Sequence, residues 1–246
     1  MESNKRIVRL SGILFVILFL ISSIAAGLAG SVGDYNIRPE EIGSLLNLIA
    51  EHKVLHMAEI GFDFFSYIIT IVLGAILFVA FSPDNRPLAL LGTIGIICGA
   101  VTLAVHDIPH FVLPWIAESF VSANAASAMA LQHLGNVTLM TAMWGLSIGV
   151  TFLGLGFLAY GVLFIKSKSV PTIFGWVGAI SGILLSAGVW LPRYNESLYP
   201  LFVMLASPLG IWQLTLGIWL IVKGVNSEIN ELTKNEKTLP INDNLG

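Results

Sequence analysis

The chain has 246 residues, 56% of them hydrophobic and only 11% charged, with a mean hydropathy of +0.85. Soluble domains carry about 25% charged residues, and a water-solvated core of this size cannot absorb so much apolar surface. A lipid bilayer is therefore the partner this composition demands, while a formal net charge of −3 excludes a nucleic-acid footprint and any strong funnel for acidic substrates.

A bilayer-crossing helix needs about 20 mostly apolar residues. Six stretches qualify, near residues 8–30, 57–81, 87–106, 136–165, 172–191 and 198–222. In the first, Lys5, Arg6 and Arg9 precede an apolar run ending AAGLAGS, the order of parts found in a secretory signal. Its apolar core is longer than the usual ~7–15 residues of such a signal, which favours an uncleaved anchor.

After the first span, RPEEIGSLLNLIAEHK predicts a helix starting near Pro39 with acids in its first turn, where the helix dipole favours them. Ile42, Leu45, Leu46 and Ile49 form one apolar stripe, so this helix lies on the membrane surface or caps the bundle. The link SPDNRP separates spans two and three, and KSKSVP separates four and five; their prolines end or begin helices. Cys98, the lone cysteine, lies in the third apolar run and is expected as a small buried hydrophobe without a disulfide partner.

The connection DIPHFVLPWIAESFVSANAASAMALQHLG, between spans three and four, is expected to be broken by Pro109 and Pro114 and to become helical in its alanine-rich part. Small residues recur at helix-packing spacing in Gly95 and Gly99, Gly145 and Gly149, and Gly178 and Gly182. The tail after Lys223 is polar and reads as disordered in its last dozen residues. Two domains follow: a six-span transmembrane domain over 1–224 and a polar cytoplasmic tail over 225–246.

With six spans, Lys5, Arg6, Arg9, Arg86, Lys166, Lys168, Lys223, Lys234 and Lys237 fall on one side, and only Arg38, Lys53 and Arg193 on the other. The positive-inside rule then places both termini in the cytoplasm, with the cytoplasmic (plasma) membrane as the expected location.

The polar residues gather at the opposite end. Residues advance by about 100° along a helix, so His56, Glu59 and Asp63 fall at roughly +40°, −20° and +20° from His52. This row enters the second span, where a carboxylate facing lipid costs on the order of 2.5–3.5 kcal/mol. It must face protein, water or an ion. His106, Asp107 and His110 end span three, His133 begins span four and Arg193 follows span five, so all five histidines map to one end of the bundle.

Imidazoles four apart on a helix, as in His52/His56 and His106/His110, can share a divalent ion such as zinc, and a carboxylate can complete the set. The candidate metal-binding walls are His56, Glu59, Asp63, His106, His110 and His133, with His52, Asp107 and Arg193 at the rim. The plain alternative is that these groups are solvated or paired with Arg193 and Lys53. An open coordination position would make a metal-dependent hydrolase acting on a lipid or amphiphile; an intramembrane acid such as Asp63 also suits a proton- or solute-coupled transporter. Against transport, Gln213 is the one clear polar group in span six. No P-loop, dinucleotide fingerprint, nucleophile elbow or HExxH motif is expected, and Ser66, Thr70 and Ser147 are expected to bond their own helix backbone.

The opening NKRIVRLSGILFVILFL, the acidic helix leading to a second span with Asp63, the following FSPDNRPLALLG and the closing WQLTLGIWLIVKGVN together resemble a family of uncharacterised bacterial and archaeal multi-span membrane proteins, the domain of unknown function 4386. The chain departs from that pattern in having Gln213 where an acid is expected and no arginine within span three. The resemblance implies topology and names no activity. The expectation is thus an all-α integral membrane bundle of six transmembrane helices, with an amphipathic helix between spans one and two and a partly helical loop between three and four. Its pocket binds a divalent metal or a small-molecule or lipid ligand, the sequence leaving open catalysis and a homo-oligomer.

Overall fold

The computed structural model describes residues 2–32 and 39–225, and every described element is helical. The elements are α1 (Glu2–Val32), a 3-10 turn (Pro39–Glu41), α2 (Ile42–Glu51), α3 (Lys53–Phe81), α4 (Arg86–Val121), α5 (Ala125–Ser167), α6 (Thr172–Gly188), α7 (Leu191–Tyr194), a second 3-10 turn (Glu196–Leu198) and α8 (Tyr199–Val222). Six are spans by length and composition, α6 and α7 together making the fifth. The disordered tail expected at the C-terminus lies outside the described residues.

The spans form a closed ring in which α1 packs on α3, α3 on α4, α4 on α5, α5 on α6, α6 on α8, and α8 back on α1. The end of the bundle that carries the N-terminus of α1 and the C-terminus of α8 is the terminal end; the opposite end is distal. Towards the terminal end the ring is filled by one apolar core that includes Phe15, Leu77, Phe81, Tyr160, Phe164 and Trp212. The outward faces stay apolar, with Leu20, Phe65, Leu91 and Ile180 exposed where a water-soluble protein would place charge.

Backbones touch because glycine lets them. A Cβ on Gly95 would lie 2.7 Å from the Gly156 Cα, and one on Gly99 would lie 2.8 Å from the Leu153 nitrogen. On the other face of α5, a Cβ on Gly182 would lie 2.5 Å from the Gly154 carbonyl oxygen. The α4–α5 seam also holds a buried hydrogen bond of 2.8 Å between the Thr93 and Tyr160 hydroxyls.

Several sequence expectations change. Helix α4 does not break at Pro109 or Pro114: both lie inside one helix of 36 residues, and α5 begins at Ala125 and runs for 43. At 1.5 Å per residue these rods are about 54 and about 65 Å long, so both extend well past a hydrocarbon core of about 30 Å. Continuing the helices keeps most backbone groups bonded internally, which lipid favours and a broken loop would not provide. The connection shrinks to a tight turn before Asn124, whose Oδ1 accepts from the Ser127 nitrogen at 3.0 Å. Helix α2 buries Ile42, Leu45, Leu46 and Ile49, the stripe read from the sequence, against Leu113, Ile116 and Ala117 of α4 and Leu139 of α5. It caps the α4–α5 hairpin, one of the two placements its stripe allowed. Cys98 is exposed on the lipid-facing side of α4, so it is not a buried hydrophobe.

Candidate functional site

The second span enters the distal end with His56, Glu59 and Asp63 on one face. His52 does not join them, because the chain turns there: α2 ends at Glu51 and α3 starts at Lys53. His56 is fully buried, and its Nε2 donates to the His110 carbonyl at 3.0 Å. That carbonyl needs a donor for a local reason. Residue 114, four positions on, is proline and has no N–H to return to it. His56 Nε2 supplies the missing hydrogen, which fixes the neutral ring as the Nε2–H tautomer and leaves Nδ1 3.7 Å from Glu59 Oε2.

Because α4 continues through Pro109, His106 and His110 lie one turn apart on a single helix, with ring centroids 5.1 Å apart. The His56 and His110 centroids are 6.1 Å apart. His106 Nδ1 donates to the Ala142 carbonyl at 2.7 Å across the α4–α5 seam, where Gly145 permits the close approach. The remaining nitrogen of His106, Nε2, lies 3.5 Å from Asp107 Oδ1. Asp107 is only 3% exposed, the Tyr67 hydroxyl faces its carboxyl, and its Oδ2 meets no hydrogen-bond donor among the described residues.

These groups border a cavity of about 480 Å³ in the distal half of the ring. Glu59 and Asp63 enter from α3, and His106, Asp107 and His110 from α4. Arg193 of α7 lines it too, its Nη2 3.8 Å from Met143 Sδ. Ala29 of α1, Val189 and Phe202 of α8 make apolar walls. Short α7 exists because α6 ends at Gly188 and turns before Pro192, so Arg193 projects from a kink and not from a continuous span. Below the cavity Ser66 and Thr70 donate to the carbonyls of Asp63 and Ser66, so they are turned to their own helix as expected.

Of the candidate walls, Glu59, Asp63, His106 and His110 line the cavity together with the rim residues Asp107 and Arg193, and His56 stands behind them. His133 does not: it is exposed on α5 and absent from the lining. Lys53 is no counter-ion for these acids, because its Nζ pairs with Glu118 at 2.6 Å on the outside of α3 and α4. The metal-ligand expectation meets a geometric obstacle: among the described residues no three His, Cys, Asp or Glu side chains form a group that would hold an ion. His56 and His106 each direct one ring nitrogen to a backbone carbonyl, which fixes the orientation of the rings.

Sequence reasoning missed Tyr67 and Pro114. Pro114 had a legible signal in its four-residue spacing from His110; Tyr67 had none beyond its place one turn after Asp63. The order Gly145-Leu146-Ser147-Ile148-Gly149 spells a nucleophile-elbow pattern, yet it lies mid-helix in α5, and Ser147 Oγ donates to the Met143 carbonyl at 3.1 Å. The required strand-to-helix turn is not there.

Among known proteins, a family model described as "Domain of unknown function (DUF4386)" matches residues 10–224, most of the chain and all six spans in large part. No curated protein matches, and no solved structure matches.

Proposed function

The chain belongs to the DUF4386 family, and from that premise we propose that it is a ligand-binding integral membrane protein whose distal pocket receives a small amphipathic molecule. The observation that carries this reading is Asp107: a carboxylate buried within a six-helix ring, with one oxygen lacking a donor, on the wall of a cavity large enough for a headgroup-sized ligand. Buried polar groups without a partner are costly, about 1–3 kcal/mol each, and the cavity joins such a group to apolar walls in the way ligand sites do. The lysine and arginine distribution supports placing both termini in the cytoplasm and the pocket on the outside. The hydrolase and metal readings draw no support from the ligand geometry. The transporter reading draws none from the terminal half of the ring, where Leu73, Leu77 and Ile96 close the axis below Thr70.

Native mass spectrometry of detergent-purified protein tests the proposal. Ala29→Trp fills the cavity from an apolar wall position. A non-covalent adduct on the wild type that is lost in Ala29→Trp is the expected result; no adduct on either protein, after purification from native membranes, removes the reading.

A further inference from the structure

Resting on that reading, we infer that the ligand is a lipid whose headgroup carries a protonated amine, and that it enters sideways from the bilayer between the distal halves of α1 and α8. The polar lining sets the headgroup. Among the described lining residues, Glu59, Asp63 and Asp107 bring acids to one side of the cavity, and Arg193 brings a guanidinium. Lys53 is turned away to Glu118. The buried Asp107 Oδ2, without a hydrogen-bond partner among the described residues, is satisfied by a donor, and an ammonium offers three N–H groups to acids arranged on two neighbouring helices.

The route follows from how α1 and α8 meet. Near the terminal end they are in backbone contact: a Cβ on Gly12 would lie 2.6 Å from the Gly217 carbonyl oxygen, and Gln213 Nε2 donates to the Phe15 carbonyl at 3.4 Å. Towards the distal end that contact stops. A Cβ on Gly27 or Gly30 would meet nothing within 4 Å. Ala26 and Gly30 are exposed and also line the cavity, as do Tyr199 and Phe202 of α8. Among the described residues, the cavity wall on this side is made by small, exposed residues of α1. A soluble ligand has no need of such a side; an acyl chain does, because it can stay in the bilayer while the headgroup reaches Asp107.

The test uses the full chain in nanodiscs of phosphatidylglycerol doped with phosphatidylethanolamine or, separately, phosphatidylcholine, with bound lipid read by native mass spectrometry after release. Phosphatidylethanolamine is expected to be retained in preference to both other lipids, and Asp107→Asn to reduce that retention by on the order of tenfold, the loss of a charge-assisted bond. Ala26→Trp, placed in the lateral opening away from the acids, is expected to reduce it as well. Asp63→Asn gives a second reading of the acidic wall should Asp107→Asn fail to yield monodisperse protein. Free ethanolamine competing as well as the lipid at equal concentration overturns the lipid source and the sideways route. Retention of phosphatidylglycerol or phosphatidylcholine, unchanged by Asp107→Asn, overturns the amine while leaving the pocket proposal standing. No retained molecule of any kind overturns both.

Discussion

A proline inside a membrane helix leaves one carbonyl without its amide, and at Pro114 and Pro208 this chain answers the problem with side chains. Pro114 releases the His110 carbonyl, which His56 Nε2 takes up at 3.0 Å; Pro208 releases the Met204 carbonyl, which the Ser207 hydroxyl takes up at 2.9 Å. The same residue types thus carry two different duties at the distal end. His56 is a structural donor between α3 and α4, whereas Asp107 is buried with an oxygen that no neighbour satisfies. A double-mutant cycle separates the first duty from packing. His56→Phe keeps a ring but loses the donor and is expected to destabilise the bundle by about 1 kcal/mol. In the Pro114→Ala background, where a backbone N–H can return to residue 110, most of that cost should vanish. Equal costs in both backgrounds, measured by unfolding in mixed micelles, would show that the histidine matters only for its volume.

At the scale of elements, small residues recur every second turn. Gly92 and Gly99 on α4 meet Gly149 and Gly156 on α5, while Gly154 and Gly161 on the adjoining face of α5 meet Gly175 and Gly182 on α6. A spacing of seven keeps a seam facing its partner along antiparallel helices with a left-handed crossing. The four-residue pairs are the more familiar signal, but Gly145 and Gly178 serve side chains instead: Gly145 faces the His106 Cβ and Gly178 faces the Trp212 ring. Gly95→Ala places a methyl group against the Gly156 backbone and is expected to cost about 1–3 kcal/mol. Gly61→Ala meets open space in α3 and is expected to be neutral or to stabilise by about 0.5–1 kcal/mol through helix propensity. The order of their unfolding midpoints in mixed micelles checks both, and a Gly95→Ala protein as stable as wild type would sink the seam as a contact of backbones.

At the scale of the whole molecule, the ring is solid at one end and hollow at the other. Aromatic side chains from every span but α4 fill the terminal half, while small residues on α1 and the kink before α7 keep the distal half open. Helices α4 and α5 run past the expected bilayer thickness and carry α2 on their projecting arms, so the distal end holds a folded cap. Its side of the membrane is testable. In a Cys98→Ser background, Ser122→Cys in the distal turn is expected to react with a membrane-impermeant maleimide on intact cells, and Pro83→Cys between α3 and α4 is expected to react only after lysis. The reverse pattern would invert the topology.

Composition and the spacing of apolar runs determined the solvent, the number of spans and the amphipathic stripe of α2, because lipid allows few backbone solutions and each is written locally in the chain. The row His56, Glu59 and Asp63 was equally local, one face of one helix. What lay beyond local reading was which groups from different helices meet. His106 and His133 belong to the same end of the bundle, yet one borders the cavity and the other faces outward, because helix rotation is set by glycine seams distributed over the whole ring. Proline was misread for a related reason. Its local preference is to end a helix, and at Pro114 a neighbour's donor, brought by the packing of α3 on α4, takes up the released carbonyl as the helix continues.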